Sequence, residues 1–422
     1  MFKTPKSLRL QIGLFGRTNV GKSTFLNHLT DQRVAITSPI PGTTTDVVEK
    51  PMELLPLGPV VFLDTGGIDD VSALSAQRVE KTSLIFDRAD IYVLLVEPDI
   101  WGEFEAKIAA EARRRKAPLV IVINKVDQCP PSAKFRDELS AHSAHVLVSA
   151  STDPAAKEAT LSRLKRYLIE ICPEDFVHPP PLIGDLLPAG GLGVLVVPID
   201  LQAPKGRLIL PQVQTIRDAL DHDAAMMVVK EREYAHVYRQ LRVMPDIVAC
   251  DSQVVLKMVA DTPAQVKCTT FSILFARYKG DLVEEAAAAA MIARIKPGDR
   301  VLIAESCSHH PIQDDIGRVK IPRWFRQYAG GEVRFDVCAG RDFPARLSDY
   351  SLIVHCGGCM ITRREKLMRI QKAKEAGVPL TNYGLCIAFL QGVLSRVLSP
   401  FPAALDRFQR RQKALRMQKG EK

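Results

Sequence analysis

Two sets of residues in this 422-residue chain have the types and spacing that chemistry requires. The first is "GRTNVGKS", residues 16–23, in which glycines and a lysine are spaced as in a loop that binds phosphate. The second is a group of thiols, Cys307, Cys356 and Cys359, of which the last two enclose a pair of glycines. Such thiols can hold a metal ion or an iron–sulfur cluster, or can cycle as a disulfide.

The phosphate loop lies between an apolar run typical of a strand and a run typical of a helix. Gly16 and Gly21 let successive backbone N–H groups turn towards phosphate oxygens, and Lys22 places a cation near the β- and γ-phosphates. Ser23, at the start of the helix, is a predicted magnesium ligand. Thr24 follows in the same turn and is assigned to the nucleotide site with it.

Two further motifs complete the predicted phosphate and magnesium site. "VVFLDTGG" ends a second buried strand at Asp64, which would support magnesium, and the Gly66 N–H would sense the γ-phosphate. Thr44 in "PGTTTD" is a predicted switch-loop ligand of the same ion. Gly67 stands where Ras-like proteins have the glutamine that orients water, so we expect slow hydrolysis. The predicted catalytic positions are Lys22, Thr44 and Gly67.

The next motif predicts which base is bound. "VIVINKVD" ends a third strand in Asn124, Lys125 and Asp127. The Asp127 carboxylate can accept from both N1–H and the 2-amino group of guanine, whereas adenine offers no such pair of donors. An unpaired carboxylate would cost about 1 to 3 kcal/mol or more. Ser149 and Ala150 in "VLVSAS" would contact the guanine carbonyl. GTP with Mg²⁺ is therefore the expected ligand.

The order and spacing of these five motifs are those of a small GTPase. Asn19 matches the asparagine of the potassium-activated GTPases related to the tRNA-modification enzyme TrmE. This resemblance implies that Asn19 binds K⁺, which would supply positive charge in place of an arginine finger, and that K⁺ stimulates hydrolysis. The alternative is an asparagine that only braces the loop.

The thiols follow apolar runs that alternate with helical stretches, a pattern that favours a parallel sheet with crossover helices. Ligands of such sheets bind at the carboxyl ends of the strands, where Cys307, Cys356 and Cys359 fall. Cys338 and Cys386 could instead be core residues. Iron–sulfur cluster, zinc and redox pair all remain possible on this evidence, and Gly357 and Gly358 favour a cluster because their N–H groups can approach sulfide.

Composition narrows the class of protein. Hydrophobic residues make up 46% and charged residues 25% of the chain, as in a soluble globular protein. No apolar run reaches the roughly 18 residues of a membrane span, and nine cysteines without a secretion signal predict a cytoplasmic protein without disulfides. The net charge of +9 permits weak attraction to nucleic acid, which we do not expect as a partner.

We predict an α/β protein of three domains. Residues 1–172 would form a phosphate-loop GTPase domain, 173–263 a small α/β dimerisation domain, and 264–422 a C-terminal parallel-sheet α/β domain that binds the cluster. The first boundary rests on the proline- and glycine-rich "CPEDFVHPPPLIGDLLPAGG". The middle segment has no converging histidines, cysteines or carboxylates, so we expect it to be structural and to pair with its twin in a homodimer.

The combination of these GTPase motifs with "CSH" at 307–309 and "HCGGC" at 355–359 resembles the FeFe-hydrogenase maturation GTPases of the HydF family. Their signature is Cys-x-His followed further along by His-Cys-x-x-Cys, and the resemblance extends over essentially the whole chain. It implies a scaffold and carrier that binds a 4Fe-4S cluster. The carrier would receive a transient two-iron cluster precursor made with radical-SAM hydrogenase maturases and deliver it to apo FeFe-hydrogenase.

The resemblance also implies which residues hold the cluster. Cys307, Cys356 and Cys359 match the three thiolate ligands of the family. Three protein thiolates leave one iron with an exchangeable ligand, which could be Glu305, His309, His355 or solvent. An open position suits a protein that must release what it carries.

Two other classes of protein fit parts of the sequence. A TrmE- or Era-like GTPase of RNA modification or ribosome assembly would use the basic charge to bind RNA and the cysteines to hold structural zinc. The last third lacks an aromatic stacking platform and a basic stripe, and the Cys-x-Gly-Lys ending of TrmE relatives is absent. A flavodoxin-like redox enzyme would need thiols that cycle without iron.

Overall fold

The computed structural model describes residues 5–30, 48–64, 83–150, 154–198, 208–307, 315–340 and 342–418. The chain divides into two compact units, Met1–Pro179 and Pro180–Lys422. None of the described helices combines the length and the apolar character that crossing a membrane would need.

The first unit is built on a six-stranded sheet with the order β2-β3-β1-β4-β5-β6. Its strands are β1 (Leu10–Phe15), β2 (Val48–Leu54), β3 (Gly58–Asp64), β4 (Ile91–Val96), β5 (Leu119–Ile123) and β6 (His145–Val148). Its helices are α1 (Lys22–Thr30), α2 (Glu103–Arg114), α3 (Ala133–Ser140), α4 (Pro154–Glu170) and α5 (Glu174–Val177). Only the edge strand β2 is antiparallel to its neighbour. Strands β1, β4 and β5 are buried throughout because helices cover both faces of a parallel sheet.

The second unit begins with a parallel four-stranded sheet of order β10-β9-β7-β8. Its strands are β7 (Leu192–Val196), β8 (Ala225–Val229), β9 (Ile247–Cys250) and β10 (Lys267–Thr270). Its helices are α6 (Leu210–Asp221), α7 (Tyr234–Gln240), α8 (Val255–Asp261) and α9 (Phe271–Lys279). The predicted boundary after residue 263 would separate β10 from the sheet that it completes. The pairing of β10 with β9 favours a limit beyond β10, and the domain limits stay a prediction.

A second parallel four-stranded sheet follows, with the order β12-β11-β13-β14. Its strands are β11 (Arg300–Ala304), β12 (Arg334–Cys338), β13 (Leu352–His355) and β14 (Leu380–Asn382). Its helices are α10 (Leu282–Ala289), α11 (Ile321–Ala329), α12 (Arg363–Glu375), α13 (Tyr383–Leu390), α14 (Leu394–Val397) and α15 (Pro402–Gln418). The prediction of a C-terminal parallel-sheet domain is confirmed.

The two sheets of the second unit share one apolar core. Helix α9 lies between them and packs against α12 and α13, which follow strands of the second sheet. Thr270, the last residue of β10, caps α9 by accepting from the Ile273 N–H at 3.3 Å. The strand of one sheet therefore leads directly into the helix that supports the thiol-bearing loops of the other.

Candidate functional site

The phosphate loop connects β1 to α1, as its sequence predicts. The Lys22 side chain is 7% exposed, and its Nζ donates to the carbonyl oxygens of Gly16 at 2.6 Å and Arg17 at 2.9 Å. Gly16 has φ of +150°, and a Cβ there would lie 2.8 Å from the Leu95 carbonyl oxygen. Gly16 therefore has to be glycine, and the loop curls around the point where the lysine ammonium lies.

The guanine motif lies beside this loop, at the same edge of the sheet. The Asn124 Nδ2 donates to the Val20 carbonyl oxygen at 2.7 Å, so the residue after β5 braces the phosphate loop. Ser149, after β6, accepts from the Val126 N–H through its carbonyl oxygen at 3.3 Å. Lys125 forms an ion pair with Glu97. Asp127 and Ala150 lie in the loops that follow the same two strands.

The magnesium and potassium predictions fall partly within the described residues. Ser23 and Thr24 lie in the first turn of α1, and Asp64 ends β3 with 5% exposure. Asn19 lies in the phosphate loop with φ of +63°, a left-handed conformation that asparagine tolerates better than most residues. The predicted switch residues Thr44, Gly66 and Gly67 lie outside the described residues.

An ion pair that the motifs do not reveal holds the phosphate loop. The Arg17 guanidinium donates from Nε and Nη2 to the two carboxylate oxygens of Glu105 at 2.6 and 2.7 Å. Glu105 is 1% exposed and also accepts from the Gly102 N–H at 2.9 Å. Burial, the largest influence, raises the Glu105 pKa, but the hydrogen bonds from Arg17 and from the backbone outweigh it and the net pKa is lowered. The loop is thus anchored to α2.

The second site is a cavity of about 220 Å³ in the second unit, lined by Cys307, Cys356 and Cys359. Cys307 follows β11 and Cys356 follows β13, which are adjacent parallel strands in register at Ala304 and His355. Because parallel strands end at the same edge of a sheet, loops 50 residues apart in sequence meet there. The structure therefore brings the three predicted thiol ligands to one cavity.

Hydrogen bonds join the two thiol-bearing loops. The Ser306 N–H donates to the Cys356 sulfur at 3.1 Å, and the Ser306 hydroxyl lies 3.1 Å from the same sulfur. The Cys356 N–H donates to the Ala304 carbonyl oxygen at 2.8 Å. These bonds fix Cys356 beside the residue that precedes Cys307.

The thiols influence one another electrostatically. Burial raises the pKa of Cys307 to about 12, with Cys356, Cys359 and Glu305 adding to the effect. Burial also raises the pKa of Cys359 to about 11, and Cys356 again contributes. Burial thus favours the neutral form of the Cys307 and Cys359 thiols, and a bound metal centre would supply the positive charge that favours their thiolates.

The donor set consists of thiols, which are the ligands that iron–sulfur clusters take. Across the described residues, no three His, Cys, Asp or Glu side chains are grouped closely enough to hold one metal ion. A 4Fe-4S cluster asks for a wider spacing, since each thiolate binds a different iron. Cys307, Cys356 and Cys359 all line one cavity, and they meet that requirement in number and type.

The structure distinguishes the candidates for a fourth ligand. Glu305 lines the cavity and is 2% exposed, with its carboxylate accepting from Arg318 at 3.0 Å and from the Tyr383 hydroxyl at 3.4 Å. His355 is fully buried and does not line the cavity. His309 lies outside the described residues.

Both ring nitrogens of His355 have partners within the protein. Nδ1 donates to the Cys356 carbonyl oxygen at 2.7 Å, and Nε2 accepts from Arg369 at 3.2 Å. Burial lowers the His355 pKa well below its usual value, and the neighbouring Lys366 and Arg369 lower it further, so the ring is neutral. The geometry gives His355 the role of holding the Cys356 backbone in place.

Sequence reasoning missed the contribution of the middle segment to this cavity. Asp251 and Ser252 follow β9, and Phe271 and Ser272 follow β10, and all four line it. Tyr383, after β14, lines the same space. The strands of both sheets therefore end around one cavity. A signal was present in the sequence, since Asp251 and Ser252 directly follow the apolar run that ends in Cys250, but no histidine or second cysteine within a few residues of Cys250 marks a site there.

Two other cysteines take no part in the cavity. Cys338 ends β12 with 9% exposure, and Cys386 is fully buried within α13. Neither lines the cavity with the three thiols. Their interpretation as core residues is confirmed.

Three family models match successive parts of the chain. Residues 11–125 match the model described as "50S ribosome-binding GTPase". Residues 182–280 match "Hydrogen maturase F dimerization domain", and residues 284–400 match "Hydrogen maturase F tetramerization domain". The first unit is thus a GTPase domain, and its motifs are those of the matched family.

Curated relatives match shorter stretches. The GTPase Era of a Nostoc species is 34% identical over 182 residues, 41% of this chain and 55% of that protein. The tRNA modification GTPase MnmE of a Synechococcus species is 40% identical over 126 residues, 29% of this chain and 26% of that protein. The GTPase Der of Solidesulfovibrio magneticus is 31% identical over 223 residues, 50% of this chain and 48% of that protein. The chain spans about half or less of the length of these relatives.

Proposed function

The chain belongs to the hydrogen maturase F family, and from this premise we propose that it is a GTP-hydrolysing scaffold and carrier. It binds a 4Fe-4S cluster, receives a two-iron precursor of the hydrogenase active-site cluster from radical-SAM maturases, and delivers it to apo FeFe-hydrogenase. The observation that supports this most directly is that Cys307, Cys356 and Cys359 line one cavity.

In this proposal the three thiolates would hold three irons of the resident cluster. The fourth iron would then have an exchangeable ligand. Glu305 is our candidate for that ligand because its carboxylate borders the cavity and Arg318 and Tyr383 orient it. His309 is a second candidate. His355 is assigned a positioning role, since its two nitrogens already bind Cys356 and Arg369.

The two-iron precursor is the cargo, and we propose that it binds next to the resident cluster. Apolar side chains such as Phe271, Phe275 and Ile316 border the cavity and would limit the access of water. Weak, exchangeable attachment suits a carrier, because four strong ligands would oppose release. The maturases and the apo-hydrogenase are the proposed partners.

The GTPase unit would act as a switch. Lys22 would exchange the carbonyl oxygens of Gly16 and Arg17 for phosphate oxygens of GTP, and Ser23, Thr44 and Asp64 would hold Mg²⁺. We propose that GTP orders the segments around Thr44 and Gly67 and that hydrolysis releases them, which changes docking with the partners. Equal affinities and exchange rates of each partner for the GTP and GDP forms would rule this switch out.

Hydrolysis is proposed to be slow and potassium-stimulated. Slow turnover follows from the glycine at position 67, and potassium binding from Asn19 in the phosphate loop. Replacing Na⁺ with K⁺ should raise the GTPase rate of the wild type, whereas Asn19→Ala should respond equally to both ions. An equal response of the wild type to both ions would remove potassium from the proposal.

The two C-terminal family matches are to oligomerisation domains, and the chain is accordingly one that oligomerises. A homodimer through the middle domain and a cytoplasmic location belong to the proposal. The domain limits 1–172, 173–263 and 264–422 stay a prediction, with the middle limit moved past β10 because that strand pairs with β9.

The decisive experiment is anaerobic reconstitution with iron and sulfide, followed by metal analysis and electron paramagnetic resonance. The variants are Cys307→Ser, Cys356→Ser and Cys359→Ser, and Cys129→Ser and Cys172→Ser in the GTPase unit are matched controls. We expect the cluster signal in the wild type and both controls and its loss in the three variants. Retention of the signal in any one variant would remove that residue from the ligand set, and zinc in place of iron would refute the carrier assignment.

A further inference from the structure

A buried lysine contacts the turn between the two cysteines. Lys279, the last residue of α9, is 1% exposed. Its Nζ donates to the carbonyl oxygens of Gly358 at 3.2 Å, Cys359 at 3.1 Å and Ile361 at 2.7 Å. An ammonium group has three donors, so all three are directed at the backbone of this one turn.

These contacts orient the peptide groups of the turn. In a trans peptide the C=O and the N–H point in opposite directions, so each carbonyl drawn towards Lys279 turns its N–H away from it. The N–H groups paired in this way with the Gly358 and Cys359 carbonyls are those of Cys359 and Met360. The N–H groups of Cys359 and Met360 oppose the rise that burial causes in the Cys359 pKa. Gly358, with φ of +75°, permits the reversal that the turn needs.

The charge of Lys279 is not neutralised by an ion pair. Within the part of the chain that the structure describes, no carboxylate lies within ion-pair distance of its Nζ. The other buried cations nearby are occupied elsewhere: Lys366 lies 3.5 Å from Glu285, and Arg369 binds His355 and the Gly340 carbonyl oxygen. Burial, the largest influence, lowers the Lys279 pKa to about 8, and the attraction of Cys359, Glu365 and Cys356 opposes that fall.

We propose that Lys279 is a positioning residue for the cluster ligand Cys359. It holds the Gly358–Ile361 turn so that two backbone N–H groups face the sulfur, and it places a buried positive charge beside the thiolates. This inference rests on the proposed binding of a cluster. Hydrogen bonds to the ligand sulfurs and nearby net charge are two of the factors that set the potential of an iron–sulfur cluster, and both favour its reduced form here.

The first test measures the cluster. Lys279→Met removes the charge and the donors at similar length, Lys279→Gln keeps N–H donors without the charge, and Lys257→Met is a control that removes an exposed lysine paired with Asp261. We expect the midpoint potential of the cluster to be more negative in both Lys279 variants than in the wild type. The control should have the same potential as the wild type. Cluster loss to a chelator should be about 10- to 100-fold faster in Lys279→Met. Unchanged potentials in both variants would overturn the proposal.

The second test uses the cluster-free protein, so that its result does not depend on the proposed function. Amide hydrogen exchange of the segment containing Cys359 and Met360 should accelerate in Lys279→Met and stay near the wild type in Lys279→Gln and Lys257→Met. Unchanged exchange in Lys279→Met would overturn the positioning role. If the wild type binds no cluster, the proposed function fails, and this exchange measurement alone decides whether Lys279 orders the turn. If Lys279→Met does not fold, the midpoint potential of the cluster in Lys279→Gln, compared with that in Lys257→Met, decides whether Lys279 is a positioning residue.

Discussion

The nucleotide loop and the thiol cavity are both built at the carboxyl ends of parallel strands, but they are assembled differently. The phosphate loop is one continuous segment, residues 16–23, whose own glycines shape it. The thiol cavity takes its cysteines from two loops and its remaining wall from three further strand ends in two sheets. A local segment therefore carries the first site, whereas the packing of a whole unit carries the second.

The two sites also differ in how they handle charge. In the nucleotide unit, Arg17 is about half exposed while its partner Glu105 is buried, and the pair sits beside solvent. In the cavity unit, Lys366 and Glu285 are both essentially buried. The phosphate loop is thus braced by a pair whose desolvation is partial, whereas the cavity unit contains a pair in which both charges are desolvated and tolerate little change.

The largest effects on activity should come from variants that disable one of the two sites and leave the other intact. Cys356→Ser should abolish cluster binding and leave GTP hydrolysis unchanged. Lys22→Ala should lower the hydrolysis rate on the order of 100-fold or more, because it removes positive charge from the transferring phosphate, and should leave the cluster intact. Iron analysis and phosphate release on the same two samples measure both. Loss of both functions in either variant would show that the sites are not separate.

Breaking the buried pair of the cavity unit should have the next largest effect. Lys366→Met leaves the Glu285 carboxylate buried without its partner, and the free energy of unfolding should fall by about 3 to 5 kcal/mol. Urea denaturation of the full chain measures this change. The double variant Glu285→Leu/Lys366→Met removes both charges and should recover most of the loss. A double variant as unstable as Lys366→Met would show that the effect is one of packing.

A change in base specificity should be smaller. Asp127→Asn removes the carboxylate that would accept from guanine, so the affinity for GTP should fall by about 1 to 3 kcal/mol or more. The amide that this substitution introduces can instead donate to the oxygen that xanthine carries in place of the 2-amino group of guanine. Xanthosine triphosphate should therefore bind more tightly to Asp127→Asn than to the wild type. Competition for a fluorescent nucleotide measures both affinities. Equal loss for both nucleotides would argue that Asp127 acts only on the fold of its loop.

The smallest effect should come from the half-exposed pair of the nucleotide unit. The Glu105 pKa is lowered in the folded protein from its usual 4.5, so its contribution to stability is present above that value and is lost as the pH falls through the folded pKa. Glu105→Gln should therefore be less stable than the wild type at pH 7, and the difference should shrink below about pH 4.5. Urea denaturation across this range measures it, with Glu103→Gln, an exposed residue in the first turn of the same helix, as a control. A difference that does not depend on pH would contradict the ion-pair account.

Much of this protein could be predicted from its sequence. The phosphate loop, the guanine motif and the alternation of apolar runs with helices predicted the GTPase fold and the parallel C-terminal sheet. The cysteine spacing placed thiols at strand ends. These features depend on contacts between residues close in the chain, and such contacts leave a local pattern of glycines, charges and apolar repeats.

Tertiary structure decided the rest. The bond from Arg17 to Glu105 joins residues 88 apart, and the bonds from Lys279 to the cysteine turn join residues about 80 apart. The partners of the His355 ring nitrogens and the part of the cavity wall that follows β9 and β10 were likewise decided by packing. The sequence alone determined which side chains can do chemistry and on which strands they lie. Packing alone determined which of them share a cavity and which are buried against a partner, because burial and hydrogen bonding depend on neighbours that the chain brings together only when it folds.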